Sequence, residues 1–280
     1  MRGIAVIDSV PPASADQLIS EFRRGRKVLL VLDQSDGEQT GVVAMAAEYC
    51  EPDDVTFMAR KARGLVSLAL TEERCEQLNL PPMVDPATSG AVKLSIEAST
   101  GIDTGISAVD RARTVRVAVA ADAKPSDLVQ PGHIFPVATL SGGVLIRTGA
   151  AEAGVDLASL AGLTPAAVFA EVLDAKGEMA NAEALVDFAE KHELTVGRVT
   201  DLVDYRLNHS RTVDLIRSGK VQTGHGEFLL SVYQESTQGH VHMALSTGGI
   251  EADRPTIVRV HTSSALSDLM SISAPDRAAW

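Results

Sequence analysis

The sequence changes character near His209, and this change limits the folds open to the chain. Before it, apolar strand-like segments such as Val28–Asp33 (VLLVLD) alternate with amphipathic helical segments such as Ala182–His192. From Lys220 onward the sequence carries strand and turn patterns. We therefore predict two domains, residues 1–208 and 209–280. The second is close to the smallest size that supports an independent core, so we expect it to lean on the first domain or on a partner subunit.

Helix and strand signals follow one another through the first domain. Pro52 opens a helix predicted to run to Ala62, with acidic residues in its first turn. Ser107 and Asp110 have the S-x-x-D spacing of a capping box, at the head of a helix that ends at about residue 119. Strands are predicted at Leu65–Leu70, Val92–Glu97, His133–Thr139, Val144–Arg147 and Val168–Leu173.

Charge and hydropathy exclude several classes of partner. The chain of 280 residues has a formal net charge of −12, which disfavours a nucleic-acid backbone or an anionic membrane surface. The net charge still allows a small anionic ligand, provided that a few basic side chains converge at its binding site. No stretch approaches the roughly 18 apolar residues of a membrane span, and we expect a cytoplasmic protein. Cys50 and Cys75 are too few for a disulfide framework, so buried reduced thiols are predicted.

Two motifs carry a resemblance to a known family. They are TGISAVDRART at Thr104–Thr114 and QPGHIFPV at Gln130–Val137, supported by GGVLIRTGAAEAGVDLASLAGL and FAEKHELTVGRVTDLVDYR. Over about residues 18–206 the chain resembles 3,4-dihydroxy-2-butanone 4-phosphate synthase. The resemblance implies a compact α+β fold and a homodimer with active sites near the subunit interface. Residues 209–280 resemble the opening of GTP cyclohydrolase II, an enzyme fused to the synthase in many bacteria.

The expected fold is therefore a synthase-like α/β domain followed by a small β-rich segment, a truncated cyclohydrolase-like domain. The family converts ribulose 5-phosphate to formate and a four-carbon ketone phosphate, and uses magnesium or manganese. The resemblance implies acid–base roles for His133 and Glu171, with Glu38 at the position of a metal-ligating glutamate. It implies substrate contacts by three further residues, Arg147, Thr104 and Asp36.

Bland alternatives stay open for these residues. Glu38 is also consistent with a solvated loop acid, Arg147 with a structural ion pair, and His133 with a satisfied core histidine. Asp110 matches the family motif too, but its spacing is equally explained by helix capping.

The inherited metal positions depart from the family pattern. The motif R-x-G-H-T reads Arg147-Thr148-Gly149-Ala150-Ala151, so that Ala150 replaces a histidine ligand. In the acidic loop Gly37 replaces a substrate-binding arginine. In the C-terminal segment the three zinc-binding cysteines are replaced by Ser264, Pro275 and Arg277. Since none of these side chains is a usual metal ligand, we expect no metal cofactor and no zinc site.

Three functions follow from this pattern, and whether the chain is an enzyme stays open. The first is a repurposed enzyme that performs metal-independent acid–base chemistry on a phosphorylated sugar or another small anion, in a secondary-metabolite or flavin-related pathway. The second is a catalytically inactive binding or regulatory subunit. The third is a genuine synthase that makes 3,4-dihydroxy-2-butanone 4-phosphate. The retained His133 and Glu171 beside the altered metal positions favour the first.

Overall fold

The computed structural model describes residues 12–34, 37–84, 91–235, 239–249 and 253–262. The chain divides into two compact units. The first is Met1–Asp214 together with Gln234–Val241, and the second is Leu215–Tyr233 together with His242–Trp280. A seven-stranded sheet belongs to the first unit, and the strands of a three-stranded sheet lie mostly in the second. The α/β character of the first unit and the small separate β-sheet of the second confirm the predicted fold class.

The first unit is built on a mixed seven-stranded sheet with the order β4-β5-β3-β6-β2-β1-β7. The pairs β3–β5 and β1–β7 are parallel, and the other neighbours are antiparallel. The strands are β1 (Val28–Asp33), β2 (Gln39–Ala46), β3 (Ser67–Thr71), β4 (Ile96–Ala98), β5 (Leu128–Thr139), β6 (Ala166–Glu171) and β7 (Thr195–Arg198).

Helices cover both faces of this sheet. They are α1 (Ala15–Arg23), α2 (Pro52–Phe57), α3 (Glu72–Gln77), α4 (Ala108–Val119), α5 (Ala150–Leu160), α6 (Ala182–Lys191) and α7 (Val199–His209). One core cluster joins α2, α4 and α6 to the sheet, and the other joins α1, α5 and α7 to its opposite face. This arrangement explains the unbroken apolar run of β1. Leu29 and Val31 enter the first cluster, whereas Val28 and Leu30 enter the second.

Helix α5 meets β6 through two small residues, Gly154 and Ala167. A Cβ atom added to Gly154 would lie 2.6 Å from the Cβ atom of Ala167 in β6, which is closer than two such carbons can pack. On the sheet side, the residue that faces Gly154 is the small Ala167. The contact therefore fixes the height of α5 above β6.

Several predicted elements are confirmed, and two differ from the structure. The strand predicted at Val92–Glu97 is shorter and lies at Ile96–Ala98. The helix beginning at Pro52 continues through a π-turn at Met58–Ala62. The predicted strand at Val144–Arg147 is instead a 3₁₀ turn, Gly143–Leu145. This segment is not a strand because the chain turns at Gly142 and Gly143, which both have positive φ. The Val144 amide also donates a hydrogen bond to the Asp156 carboxylate over 3.0 Å, and this bond holds the turn.

The smaller sheet, most of which lies in the second unit, is antiparallel and has three strands, β8 (Val213–Thr223), β9 (Gly226–Glu235) and β10 (Val241–Ser246), in the order β10-β9-β8. Its residues are largely exposed. Large apolar side chains of these strands that remain open to solvent are Val213, Leu215, Ile216, Leu229, Val241, Met243 and Leu245. Through the described parts of both units, no helix has the length and apolar character needed to cross a membrane.

Candidate active site

Strand register brings His133 and Glu171 to the same end and the same face of the sheet. Ser67, the first residue of β3, pairs with Phe135 of β5 on one side and with Phe169 of β6 on the other. His133 and Glu171 each lie two residues beyond these phenylalanines, toward the start of β3. Because side chains alternate along a strand, both point to the face that carries α1, α5 and α7. One strand lies between them, so their Cα atoms are roughly 10 Å apart.

His133 is held by a carboxylate that the sequence motifs did not indicate. Its Nδ1 lies 2.8 Å from Oε1 of Glu97 in β4. The Glu97 side chain is 14% exposed and that of His133 is 40% exposed. The only signal in the sequence is the position of Glu97 in an alternating strand segment, which does not show its partner.

The loop that contains Thr104 packs against this pair. Glycine is required at position 105, where φ is +78° and an added Cβ atom would lie 1.3 Å from Oε1 of Glu97. Thr104 itself is exposed. The structure therefore brings Thr104, Glu97 and His133 into one neighbourhood.

Asp110 fixes that loop rather than completing a capping box. The Ser107 hydroxyl accepts a bond from the Asp110 amide, 3.0 Å, and so caps α4 as predicted. The Asp110 carboxylate, however, accepts bonds from the amides of Asp103, 3.3 Å, and Gly105, 3.0 Å. Burial alone would raise the pKa of Asp110, but the hydrogen bonds from Ser107 and from the loop amides outweigh it and lower that pKa.

Arg147 is engaged within the fold. Its Nε donates to Oε1 of Glu152 over 2.8 Å, its Nη2 bonds to the same carboxylate, and Nη2 also donates to the Ala138 carbonyl over 3.2 Å. Glu152 is 1% exposed, and a buried carboxylate needs such a partner. Ala138 lies five residues along β5 from His133, roughly 16 Å. The structure therefore gives Arg147 the ion pair that was its alternative, and its contact with substrate stays a prediction.

Glu38 and Ala150 are the positions at which the family resemblance implies metal ligands. Glu38 is exposed, directly before β2, and its carbonyl accepts a bond from the Gln34 amide, 2.8 Å. Ala150 is the first residue of α5, behind the N-cap Gly149. Asp36 lies outside the described residues, as do Ser264, Pro275 and Arg277.

The donor set limits how a metal ion could be held. Within the described ranges, no three His, Cys, Asp or Glu side chains are grouped as metal ligands. Magnesium usually keeps several waters and is bound through one or two carboxylates together with substrate oxygens. The residues present therefore fit an ion that binds with an oxygen-rich substrate, with Glu38 as its carboxylate, and do not fit a cage made by protein alone.

A cavity of about 250 Å³ opens at the opposite end of the sheet. Its lining includes Thr71 and Thr139, at the ends of β3 and β5, together with Asp156 and Arg206. Arg206 Nη1 lies 2.5 Å from Asp156 Oδ2, and burial raises the pKa of Asp156 despite this pair. The cavity includes neither His133 nor Glu171. The candidate site is therefore defined by these two residues, whose acid–base roles are predicted, and not by the cavity.

Comparison with known proteins identifies the relatives of this chain. Residues 16–205 match the family model of 3,4-dihydroxy-2-butanone 4-phosphate synthase, and residues 215–279 match that of GTP cyclohydrolase II. The chain is 47% identical to 3,4-dihydroxy-2-butanone 4-phosphate synthase of Pseudomonas syringae pv. tomato, over 95% of this chain and 72% of that protein. The crystal structure of a two-domain synthase from A. baumannii has a TM-score of 0.79 and 44% identity, covering 93% and 77% of the two chains.

These relatives correct two expectations. Their identity along nearly the whole chain contradicts the repurposed, metal-independent enzyme and favours the genuine synthase. A solved synthase in complex with two magnesium ions has a TM-score of 0.65 and 33% identity, covering 70% of this chain and 98% of its own. That complex overturns the expectation of a protein without a metal cofactor. The chain belongs to the 3,4-dihydroxy-2-butanone 4-phosphate synthase family.

Proposed function

We propose that the chain is a synthase that converts ribulose 5-phosphate to 3,4-dihydroxy-2-butanone 4-phosphate and formate. The observation that carries the proposal is the 47% identity to a synthase over 95% of the chain. The common face and common end of the sheet that His133 and Glu171 share give further support.

The proposed chemistry divides between proton transfer and substrate binding. His133 and Glu171 flank a space about two strand spacings wide, which suits proton transfers on either side of a short sugar phosphate. Thr104 would contact the substrate from the loop beside His133. Arg147 and Asp36 remain candidates for further substrate contacts.

A divalent ion is proposed as the cofactor, with Glu38 as its protein carboxylate. When bound, such an ion polarises carbonyl and hydroxyl oxygens and stabilises enediolate charge. Since Ala150 supplies no donor, more of the coordination must come from water and substrate. The chain has a net charge of −12, which repels a phosphorylated substrate. Basic side chains at the site or the divalent ion must therefore offset that repulsion locally.

The test is formate release from ribulose 5-phosphate with magnesium or manganese. We expect activity in the wild type and a loss of about 10²- to 10⁴-fold in His133→Ala and Glu171→Ala, the usual contribution of a general acid or base. Exposed residues, replaced in His225→Ala and Glu178→Ala, serve as matched controls and should retain full activity.

Two outcomes would contradict the proposal. Wild-type protein that releases no formate with either ion, while folded and saturated with substrate, is not a synthase. Formate release that survives unchanged in both His133→Ala and Glu171→Ala would remove these side chains from the mechanism.

A further inference from the structure

We propose that Glu97 is the positioning residue for His133, fixing which imidazole nitrogen carries the proton. This inference rests on the proposed function for its kinetic effect, but its structural effect on His133 can be measured without activity. Glu97 is not among the residues that the family resemblance indicated. It is inferred from its contact with His133 alone.

The contact determines the tautomer of His133. Nδ1 and Oε1 of Glu97 are 2.8 Å apart, and an ionised carboxylate can only accept a hydrogen bond. Nδ1 must therefore carry the hydrogen. In the neutral ring Nε2 then has the lone pair, so Nε2 is the atom that receives a proton and later returns it.

Glu97 can perform this role because its own position is tightly set. Ile96 pairs with Ile134 of β5, and a bulge between Ile96 and Glu97 shifts the register of the two strands at this point. A Cβ atom on Gly132 would lie 2.2 Å from the Ile96 carbonyl carbon, so the two backbones approach closely. The bulge and the close approach place the carboxylate beside the residue that follows Gly132, His133.

The Thr104 loop closes the remaining side of the carboxylate. The Glu97 Oε1 atom occupies the space that a side chain at Gly105 would fill. The Gly105 amide is in turn bound to the carboxylate of Asp110, which is 5% exposed. Glu97 is thus packed between a histidine and a loop that is anchored to α4, and it loses little further freedom when substrate binds.

Two substitutions test the role. Glu97→Gln removes the negative charge beside His133 but keeps the size of the side chain and its packing against Gly105. Glu97→Ala removes the contacts with both His133 and Gly105. We expect kcat to fall about 10- to 100-fold in Glu97→Gln, part of the full acid–base contribution, with KM changed less than about threefold because the carboxylate touches the histidine and not the substrate. Glu76→Gln, which alters an exposed glutamate on α3, is the matched control.

Nitrogen-15 spectra of the imidazole, recorded on variants that circular dichroism shows to be folded, provide a readout that loss of substrate binding would not imitate. At about pH 8.5, where an ordinary imidazole is neutral, the wild type should show His133 as one tautomer, with hydrogen on Nδ1. In Glu97→Ala the signals should move toward a mixture of tautomers, and in Glu76→Gln they should not move.

The proposal is overturned if the His133 tautomer is the same in wild type and Glu97→Ala, or if Glu97→Gln raises KM while kcat is unchanged. A wild type without synthase activity that still shows the Glu97-dependent tautomer would contradict the proposed function only. Full activity in both Glu97 variants would contradict the positioning role only.

Discussion

Single residues in this site act through partners that are distant in the sequence. His133 lies in a motif and is predicted from it. Glu97 precedes it by 36 residues, and only the bulged pairing of β4 with β5 brings the two together, so no local pattern could indicate it. For Arg147 the motif predicts a substrate contact, but the structure shows a different partner. Its guanidinium binds the buried carboxylate of Glu152, five positions later along the chain.

Ala150 is the residue whose replacement should change metal binding most. A histidine at the first position of α5 lies at the positive end of the helix dipole, which disfavours the imidazolium and keeps the ring neutral for coordination. We expect Ala150→His to tighten Mn²⁺ binding at least about tenfold, measured by electron paramagnetic resonance of the free ion.

Thr148→His adds the same ring to an exposed neighbour and is the control. It should leave Mn²⁺ affinity unchanged. Equal affinities in wild type, Ala150→His and Thr148→His would show that Ala150 does not face the ion. A gain that survives Glu38→Gln would show that the ion does not use Glu38.

At the scale of elements, length and local pattern decide what the sequence predicts. The apolar run of β1 and the capped start of α4 are evident from the sequence. Strand β7 has only four residues, and it exists because β1 offers a parallel edge. Helix α1 carries a capping box, Ser14 with Gln17, in a segment where no helix was predicted. The predicted strand at Val144 fails because two glycines with positive φ turn the chain.

The link between α4 and its preceding loop predicts a dependence of stability on pH. The folded state lowers the pKa of Asp110, so this group adds stability above the pKa it has in the unfolded chain. That stability is lost as pH falls through the folded-state pKa. We expect Asp110→Asn to lower Tm at neutral pH, with the difference from wild type narrowing in acid, measured by calorimetry from pH 7 downward.

Asp122→Asn replaces an exposed aspartate and is the control. Its Tm should follow that of the wild type at every pH. A deficit in Asp110→Asn that stays constant into acid would mean that the ionised carboxylate contributes nothing beyond packing.

For the whole molecule, the sequence predicts the class of fold and the order of its two parts. A boundary between the two compact units falls after Asp214, although Gln234–Val241 returns to the first unit. The family matches at 16–205 and 215–279 are an independent observation of two parts. The domain limits 1–208 and 209–280, the cytoplasmic location and the absence of nucleic-acid and membrane partners stay predictions.

The homodimer is also a proposal at this scale, with active sites near the subunit interface. Sedimentation equilibrium should give a particle of twice the 29.5 kDa chain mass. The same mass should be found for His133→Ala, since His133 contacts Glu97 within one chain. A single species at the chain mass, at concentrations well above those of the assay, would exclude the dimer.

The contact between Gly154 and Ala167 has a consequence for anyone who redesigns this protein. This contact sets the position of α5 on the sheet. Ala150, the first residue of α5, lies four residues before it, about 6 Å along the helix axis. A methyl group added at Gly154 would lie 2.6 Å from the Cβ atom of Ala167, so α5 would have to move away from β6 and its first turn would move with it. Substitutions intended to change the surroundings of Ala150 should therefore be made near the ends of α5. Gly154 and Ala167 in the middle of the contact should be kept.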